Sequence, residues 1–85
     1  FLSMGNVVKV RLSVLGESMM KGLTDYRPKF IKRDGDIFYF EAANENAKMY
    51  FRGFMKEAEI LEPLSLREEM KQEYQEVLKL YENKN

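Results

Sequence analysis

The side chains that perform most enzyme chemistry near neutral pH are missing from this 85-residue chain, which contains no histidine and no cysteine. Histidine is the usual general base, and cysteine supplies thiolate nucleophiles and metal ligands. The hydroxyl groups of Ser13, Ser18, Thr24 and Ser65 therefore have no histidine to activate them. The sequence predicts a protein that is not an enzyme and that uses no cofactor.

Carboxylates follow one another closely near the C-terminus, where Glu68 and Glu69 precede Glu73 and Glu76. Residues three and four apart share one face of a helix, so these oxygens could in principle bind a divalent cation. No aspartate-rich loop of the calcium-binding type accompanies them. We interpret the glutamates as a solvated helix face and predict no metal site.

Anion recognition is the remaining chemistry that the residue types allow. The formal net charge is zero, from 14 basic and 14 acidic side chains, but residues 1–33 are mainly basic and residues 34–85 mainly acidic. The candidate surface for an anionic effector or an acidic partner consists of Lys9, Arg11, Lys32, Arg33 and Tyr39. The simpler interpretation, which we favour, is that the two halves neutralise each other when the chain folds, with this face solvated and paired with Glu41 and Glu59.

Alternating apolar residues indicate the strands that position these side chains. Four strands are predicted, over residues 7–13, 29–33, 37–43 and 58–62. The second and third are joined by Asp34-Gly35, a dipeptide typical of two-residue hairpin turns. The fourth strand is followed by Pro63, which ends it because proline has no N–H group to donate.

The first helix is predicted over residues 14–24 from an apolar face formed by Leu15, Met19 and Leu23. Two glycines within this stretch weaken the prediction, because each costs about 1 kcal/mol relative to alanine in a helix. We expect the helix to cover one face of the sheet.

Two further helices follow polar residues that can accept backbone hydrogen bonds. An aromatic helix around residues 47–54 is expected to be capped by Asn44 or Asn46. The last helix is predicted over residues 65–83, where Ser65 and Glu68 fit a reciprocal capping box.

The order strand, helix, strand, strand, helix, strand predicts an α+β fold, the ferredoxin-like βαββαβ sandwich, with an additional C-terminal helix. Residues 1–6 are interpreted as a linker tail and residues 7–85 as a single domain. Helices should cover one face of the sheet and leave the other open. The alternation places on the open face the side chains of Lys9, Arg11, Tyr39 and Glu41.

An alternative function follows from this open face. RNA recognition motifs share the fold and carry aromatic residues on the third strand. Of the aromatic residues of that strand, only Tyr39 would face outward here. Asp34 and Asp36 would repel phosphate. A stand-alone RNA- or anion-binding module that uses the open face therefore remains the alternative to an interaction module.

The last helix lies outside the basic βαββαβ unit and carries more apolar surface than one narrow stripe. The stripe itself consists of Leu66, Met70, Tyr74, Val77 and Tyr81. Leu64 and Leu80 lie beside it. The stripe is either intramolecular core or a contact with a second subunit, and both interpretations stay open.

Three stretches of the chain belong together as a pattern: V-V-K-V-R-L at 7–12, M-Y-F-R-G-F at 49–54 and L-E-P-L-S-L-R-E-E at 61–69. Together they resemble the C-terminal extension (WCX) domain of bacterial WYL-domain transcriptional regulators. The chain departs from that family at Tyr50, where tryptophan is common, and at Met55, where glycine is usual. Because glycine would serve there as a helix C-cap, the following turn is expected to be built differently.

The resemblance implies a cytoplasmic, non-catalytic regulatory and dimerisation domain that takes part in bacterial transcription regulation. Family members also carry a winged helix-turn-helix and a WYL domain, which are absent here, so DNA would be contacted only through those missing parts. The implied partners are a second copy or the parent WYL domain, with an effector that the resemblance does not name. No apolar run reaches the roughly 18 residues of a membrane helix. Phe1 is not an initiator methionine, so we expect the chain to be a piece of a longer protein.

Overall fold

Four strands, three α-helices and one 3₁₀ segment make up the structure, a computed structural model that describes residues 5–83. In chain order they are β1 (Asn6–Leu12), α1 (Val14–Gly22), β2 (Lys29–Asp34), β3 (Ile37–Ala42), α2 (Asn44–Phe51), the 3₁₀ segment (Arg52–Glu57), β4 (Ala58–Glu62) and α3 (Leu64–Glu82). The predicted order of strands and helices is confirmed. β1 begins at Asn6, within the predicted linker tail, and residues 1–4 of that tail lie outside the described residues.

The strands form one sheet in the order β2-β3-β1-β4, in which every neighbouring pair is antiparallel. The predicted α+β class is therefore confirmed. The β2–β3 hairpin turns at Gly35, whose φ of 67° lies in the left-handed region that glycine adopts without steric cost. This is the Asp34-Gly35 turn that the sequence predicts.

One face of the sheet carries the core, as the alternation in β1 and β3 predicts. The buried strand residues are Val8, Val10, Leu12, Phe38, Phe40, Ala42, Ala58 and Ile60. The helical residues that cover them are Met20, Ala47, Phe51, Phe54, Leu66 and Met70. The Phe51 ring lies 5.3 Å from the Phe40 ring and 5.2 Å from the Phe54 ring, measured between centroids. Each buried phenylalanine contributes about 1.5–3 kcal/mol relative to an exposed one, so this cluster is a main source of stability.

β2 lies at one edge of the sheet and contributes little to this core. All six of its residues are exposed. The Phe30 ring approaches the aromatic cluster, with its centroid 6.1 Å from that of Phe40 and 6.3 Å from that of Phe38. The register of β2 with β3 shifts between Phe30 and Lys32. Bulges and lysines are common on edge strands, where they hinder pairing with another chain.

α1 begins at Val14 as predicted, but Ser13, predicted as the last residue of the strand, is instead the N-cap of this helix. The Ser13 hydroxyl oxygen accepts a hydrogen bond from the Gly16 N–H at 2.9 Å, which satisfies a free donor of the first turn. The predicted apolar face is wrong in part: Leu15 and Leu23 are more than half exposed, and Met20 is buried instead.

Gly16 determines which side of α1 faces the core. A Cβ atom at this position would overlap the carbonyl oxygen of Glu57 in the 3₁₀ segment, so only glycine permits this approach. The same oxygen accepts a hydrogen bond from the Ser13 N–H at 3.1 Å. The close contact turns Met20, one helical turn later, toward the core and leaves Leu15 outside.

The caps predicted for α2 and α3 are wrong. α2 begins at Asn44, so its N-cap is Ala43, which has no side-chain oxygen. α3 begins at Leu64 with Pro63 at the N-cap, so Ser65 lies inside the first turn and forms no capping box. The Asn44 amide instead donates to the Ser65 hydroxyl at 3.3 Å and links the starts of the two helices.

Polar contacts also hold α2 to the end of α1. Asn46, the other predicted cap, donates its amide to the Tyr26 carbonyl oxygen at 3.2 Å. The Tyr50 hydroxyl donates to the carbonyl oxygen of Leu23, the cap residue of α1. The Tyr50 hydroxyl thus satisfies an acceptor at the C-terminal cap of α1, and the Asn46 amide holds the turn that follows the helix.

We predict that Gly16→Ala destabilises the fold by about 1–2 kcal/mol net. Overpacking costs up to about 3 kcal/mol, and alanine regains about 1 kcal/mol in helix propensity. Gly22→Ala is the matched control, since no neighbouring group of the described chain lies within 4 Å of a Cβ placed there. Urea unfolding should give a lower midpoint for Gly16→Ala and an unchanged or higher one for Gly22→Ala. Equal midpoints would contradict the proposed packing of α1.

Candidate functional site

Four of the five residues predicted for an effector or partner surface lie together on the open face of the sheet. Lys9 pairs with Tyr39 across β1 and β3, and Lys32 pairs with the same tyrosine across β2 and β3. Their ammonium groups lie 5.6 Å and 4.6 Å from the centre of the Tyr39 ring, within reach of cation–π attraction. Arg11 follows Lys9 on the same face of β1.

Arg33 does not join these residues, because it lies on the opposite face. In the register of β2 with β3, Lys32 pairs with Tyr39 and Arg33 with Phe38, and successive strand residues point to opposite faces. The Arg33 guanidinium lies 4.5 Å from the centre of the Phe38 ring and 2.8 Å from the Glu17 carboxylate. Arg33 therefore covers the edge of the core.

Carboxylates pair with two of the three basic side chains that lie on the open face. Arg11 lies 3.5 Å from Asp36 and 3.0 Å from Glu59, and Lys9 lies 3.9 Å from Glu62. All three pairs join a base from the first half of the chain to a carboxylate from the second half. The open face is therefore of mixed charge, in agreement with the interpretation that the two halves neutralise each other.

Arg67 of α3 extends this network around the edge of β4. Its guanidinium lies 2.8 Å from the Glu59 carboxylate and donates to the Ile60 carbonyl oxygen at 2.9 Å. Hydrogen bonds from Arg67, and secondarily from Arg11, hold the pKa of Glu59 below its ordinary value. Arg67 also covers a backbone acceptor of an edge strand that would otherwise be open to another chain.

Two of the four glutamates that were considered as a cation site, Glu69 and Glu73, bind a lysine of α2 instead. The Lys48 ammonium lies 3.5 Å from Glu69 and 3.8 Å from Glu73, with Glu45 also at 3.8 Å. Within residues 5–83, no three acidic side chains are arranged to share a metal ion. These glutamates therefore help to attach α3 to α2.

A groove of about 720 Å³ lies between α3, β4 and the 3₁₀ segment, and we call it the α3 groove. Its mainly apolar walls include Met55, Ala58, Ile60, Met70, Tyr74, Val77, Leu78 and Tyr81, and Lys56, Arg67 and Lys71 also line it. The Tyr74 hydroxyl donates to the Arg52 carbonyl oxygen at 3.2 Å and fixes α3 against the 3₁₀ segment. Burial, and secondarily Glu73, raise the pKa of Tyr74.

The five residues predicted for a dimer contact divide between the core and the surface. Leu66 and Met70 are buried in the core of the domain, and Tyr74 is partly buried against it. Val77 is 39% exposed and Tyr81 is 83% exposed. The first half of α3 is therefore intramolecular core, whereas its second half presents apolar side chains to solvent.

Met55, at which the sequence resemblance led us to expect glycine, has a backbone conformation that favours glycine. Its φ is 56° and its ψ is −125°. A side chain in such a conformation strains the backbone by about 1–3 kcal/mol. The preceding Phe54 is buried and β4 begins at Ala58, so the chain must turn between them. Met55 makes this turn in a glycine-type conformation, and its side chain lines the α3 groove.

Comparison with known families shows what kind of domain this is. The model of the WCX domain family matches residues 6–78. The chain belongs to the WCX domain family. This confirms the resemblance carried by residues 7–12, 49–54 and 61–69, and membership of the family implies the setting of WYL regulators.

A solved structure described as "Crystal structure of a CRISPR Cas-related protein" is similar to this WCX domain. It has a TM-score of 0.83 and 26% sequence identity, over 94% of this chain. The chain spans only 22% of that longer chain. No curated protein matches the sequence. In the part of the WCX domain that the structure describes, no helix combines the length and hydrophobicity needed to cross a membrane.

Sequence reasoning named Glu59 as a partner of the basic side chains but did not find Asp36 or Arg67. Asp36 meets Arg11, and Arg67 meets Glu59, only because of the strand register and the position of α3, which no local pattern reveals. The α3 groove was missed for the same reason. The one residue of the sequence that drew notice to this groove was Met55, at which the resemblance led us to expect glycine.

We predict that Glu59 stabilises the WCX domain above its ordinary pKa of 4.5 and progressively less below it. Folding lowers the pKa of this carboxyl, so its contribution is complete above the unfolded value and is lost as the pH falls through the folded value. Glu59→Gln should lower the urea midpoint at about pH 7 and have little effect at about pH 2. Glu68→Gln, an exposed α3 control, should change neither midpoint. Equal losses at both pH values would speak against this linkage.

We also predict that Met55→Gly raises the free energy of unfolding of a single copy by about 1 kcal/mol. Relief of backbone strain contributes about 1–3 kcal/mol, and the greater freedom of glycine in the unfolded chain removes about 0.5–1 kcal/mol. The control is Met49→Gly, at an exposed methionine of α2, which should cost about 1 kcal/mol. Chemical denaturation at low protein concentration measures both. A loss of stability in Met55→Gly would mean that the turn is not strained.

Proposed function

We propose that this WCX domain is a non-catalytic regulatory module from the C-terminal part of a WYL-type bacterial transcription regulator. In this proposal it acts in the cytoplasm and mediates self-association or docking on the parent WYL domain. It thereby transmits an effector signal or the assembly state to a DNA-binding domain outside this chain.

Family membership and the length of the similar structure support a regulatory role. The WCX match covers residues 6–78, and the similar CRISPR Cas-related protein carries the equivalent fold as a minor part of a much longer chain. The residue types support a non-catalytic role, because the chain lacks histidine and cysteine. Two of its candidate hydroxyl groups also have structural partners: Ser13 caps α1, and Ser65 bonds to Asn44.

We further propose that the architecture is of the ferredoxin-like type, with α3 as the additional helix. The element order β1-α1-β2-β3-α2-β4 and the strand order β2-β3-β1-β4 support this assignment. So does the placement of the buried strand residues on a single face of the sheet.

The single observation that carries self-association is the exposed apolar end of α3. Val77, Leu78 and Tyr81 are 39%, 53% and 83% exposed, although all three line the same groove. Full burial of side chains of this kind gains about 1.5–3 kcal/mol each. In a single copy these side chains stay largely exposed, so little of this free energy is gained. A second subunit bound over the groove would bury more of their surface.

The alternative of RNA or anion binding on the open face has weaker support. Arg11 and Lys9 already face carboxylates, and the two lysines beside Tyr39 occupy positions from which a base would stack. Binding of single-stranded RNA that weakens with salt and with Lys32→Ala would nevertheless favour this alternative.

We predict that Tyr81→Glu weakens self-association of the 85-residue chain by about tenfold or more, because a carboxylate would replace an apolar ring in the interface. Sedimentation equilibrium over a range of protein concentrations measures this effect. The matched control is Leu80→Glu, at a neighbouring apolar residue that is 75% exposed and does not line the groove. A chain that sediments as a monomer at every concentration would refute the self-association part of the proposal.

The wider context is tested independently by the coding sequence upstream of Phe1. A winged helix-turn-helix followed by a WYL domain would support the regulator. An initiation codon immediately before Phe1 would instead favour a stand-alone module.

A further inference from the structure

The outer edge of β4 lies along the α3 groove. The Ser13 N–H bonds to the Glu57 carbonyl oxygen, so the backbone groups of Glu57 point toward β1. Successive residues of a strand direct these groups to opposite sides, and those of Ala58 and Ile60 therefore point away from β1. The hydrogen bond from Arg67 to the Ile60 carbonyl oxygen indeed comes from that outer side. The groove thus contains the hydrogen-bonding edge of a strand as well as apolar side chains.

This edge can accept another strand. In the described part of the chain, neither the Ala58 carbonyl oxygen nor the Ile60 N–H bonds to α3 or to the 3₁₀ segment. An open acceptor and an open donor on one strand are the groups to which an extended peptide pairs. The side chains of both residues are buried on the face that α3 covers through Leu66 and Met70. An added strand would therefore lie beside β4 with one of its faces against α3.

The charges that line the groove favour an acidic occupant. Arg67 reaches from α3 around the edge of β4 to Glu59, at 2.8 Å. Lys71 follows Arg67 by four residues, so it lies on the same side of α3, and it also lines the groove. Within residues 5–83, no carboxylate forms a salt bridge with Lys71 or with Lys56, the other lysine of the groove. A carboxylate on an added strand would meet Lys71 as Glu59 meets Arg67.

The strands of a second copy do not have this chemistry. The exposed edge strand of a second copy would be β2, in which three of the six residues are basic and one is acidic. Its positive charge would oppose that of Lys56 and Lys71. The β4 strand of a second copy lies beside its own α3, which would collide with the first copy before the two edges met. The groove therefore fits a separate segment of opposite charge.

We propose that the α3 groove binds an extended, acidic segment of a partner protein as a strand added to β4. Apolar side chains at alternate positions of the segment face α3, and the carboxylates between them face Lys71 and Lys56. Backbone pairing supplies affinity, and the alternation of apolar and acidic residues supplies specificity. This inference goes beyond the proposed self-association, which rests on the exposed end of α3 and not on the edge of β4.

The experiment is an NMR titration of the 85-residue chain with a synthetic peptide of alternating valine and glutamate. A peptide of about seven residues spans about 23 Å when extended, which covers the length of β4. We expect the largest amide shifts at Ala58, Ile60 and Lys71, and slower hydrogen exchange of the Ile60 N–H, because the added strand covers it. Lys71→Glu should weaken binding about fivefold. The matched control is Lys79→Glu, at an exposed lysine of α3 outside the groove, which should change binding by less than about twofold.

Methylation of the peptide nitrogens tests strand pairing itself. Alternate N–H groups of an added strand point toward β4, and the others point to solvent. One peptide is therefore methylated at the nitrogen of every valine and another at that of every glutamate. One of the two should lose binding and the other should keep it. Equal binding of the two would contradict pairing with β4.

The remaining outcomes identify other occupants. No shift of these amides at about 1 mM peptide would overturn the inference, since even weak specific binding is populated at that concentration. Self-association, measured by sedimentation without the peptide, would be unaffected by that result. Shifts of the same amides when the chain alone is concentrated would place a second copy on the edge of β4, and would contradict a separate acidic partner.

Discussion

The burial of Phe51 between Phe40 and Phe54 is the contact on which the rest of this domain depends. Phe40 belongs to β3, Phe51 ends α2, and Phe54 belongs to the 3₁₀ segment, so three elements meet at one ring. Because Phe54 is held in this cluster, the chain has only a short distance in which to turn toward β4. Met55 completes the turn in a glycine-type conformation, and the end of the segment then lies against Gly16. The strained turn and the orientation of α1 are thus two results of the same aromatic packing.

Much of the fold can be predicted from the sequence because it depends on patterns within short stretches. The alternation in β1 and β3 fixes which side chains enter the core, and Asp34-Gly35 fixes the hairpin. The inward face of α1 could not be predicted, because it depends on a carbonyl group of the distant 3₁₀ segment meeting Gly16. The predictions of the helix caps were wrong for a similar reason, because Ser65 and Asn44 bond to each other and not to the backbone of their own helices.

The candidate site could be predicted less well, because it depends on register and on contacts between elements. Alternation correctly placed Lys9 and Tyr39 on one face, whereas Arg33 was grouped with them by its charge and its position in the sequence. The acidic half of the chain was correctly interpreted as a counter-charge to the basic half, and Glu59 was expected to pair with the basic face, but the pairs with Asp36 and Glu62 were not foreseen. The link from Arg11 through Glu59 to α3 exists only in the folded chain. This network neutralises the charges of Lys9 and Arg11 on the open face.

The exposed position of β2 has a consequence for how the domain moves. A strand with one sheet neighbour and no buried side chain can separate from a sheet at a lower free energy than global unfolding requires. β2 is therefore the element most free to open locally, while β1 stays paired on both sides. β2 and the α3 groove lie at opposite edges of the sheet. Fluctuations that detach β2 should consequently leave the geometry of the groove unchanged. A partner bound in the groove would therefore contact a surface that does not move when β2 opens.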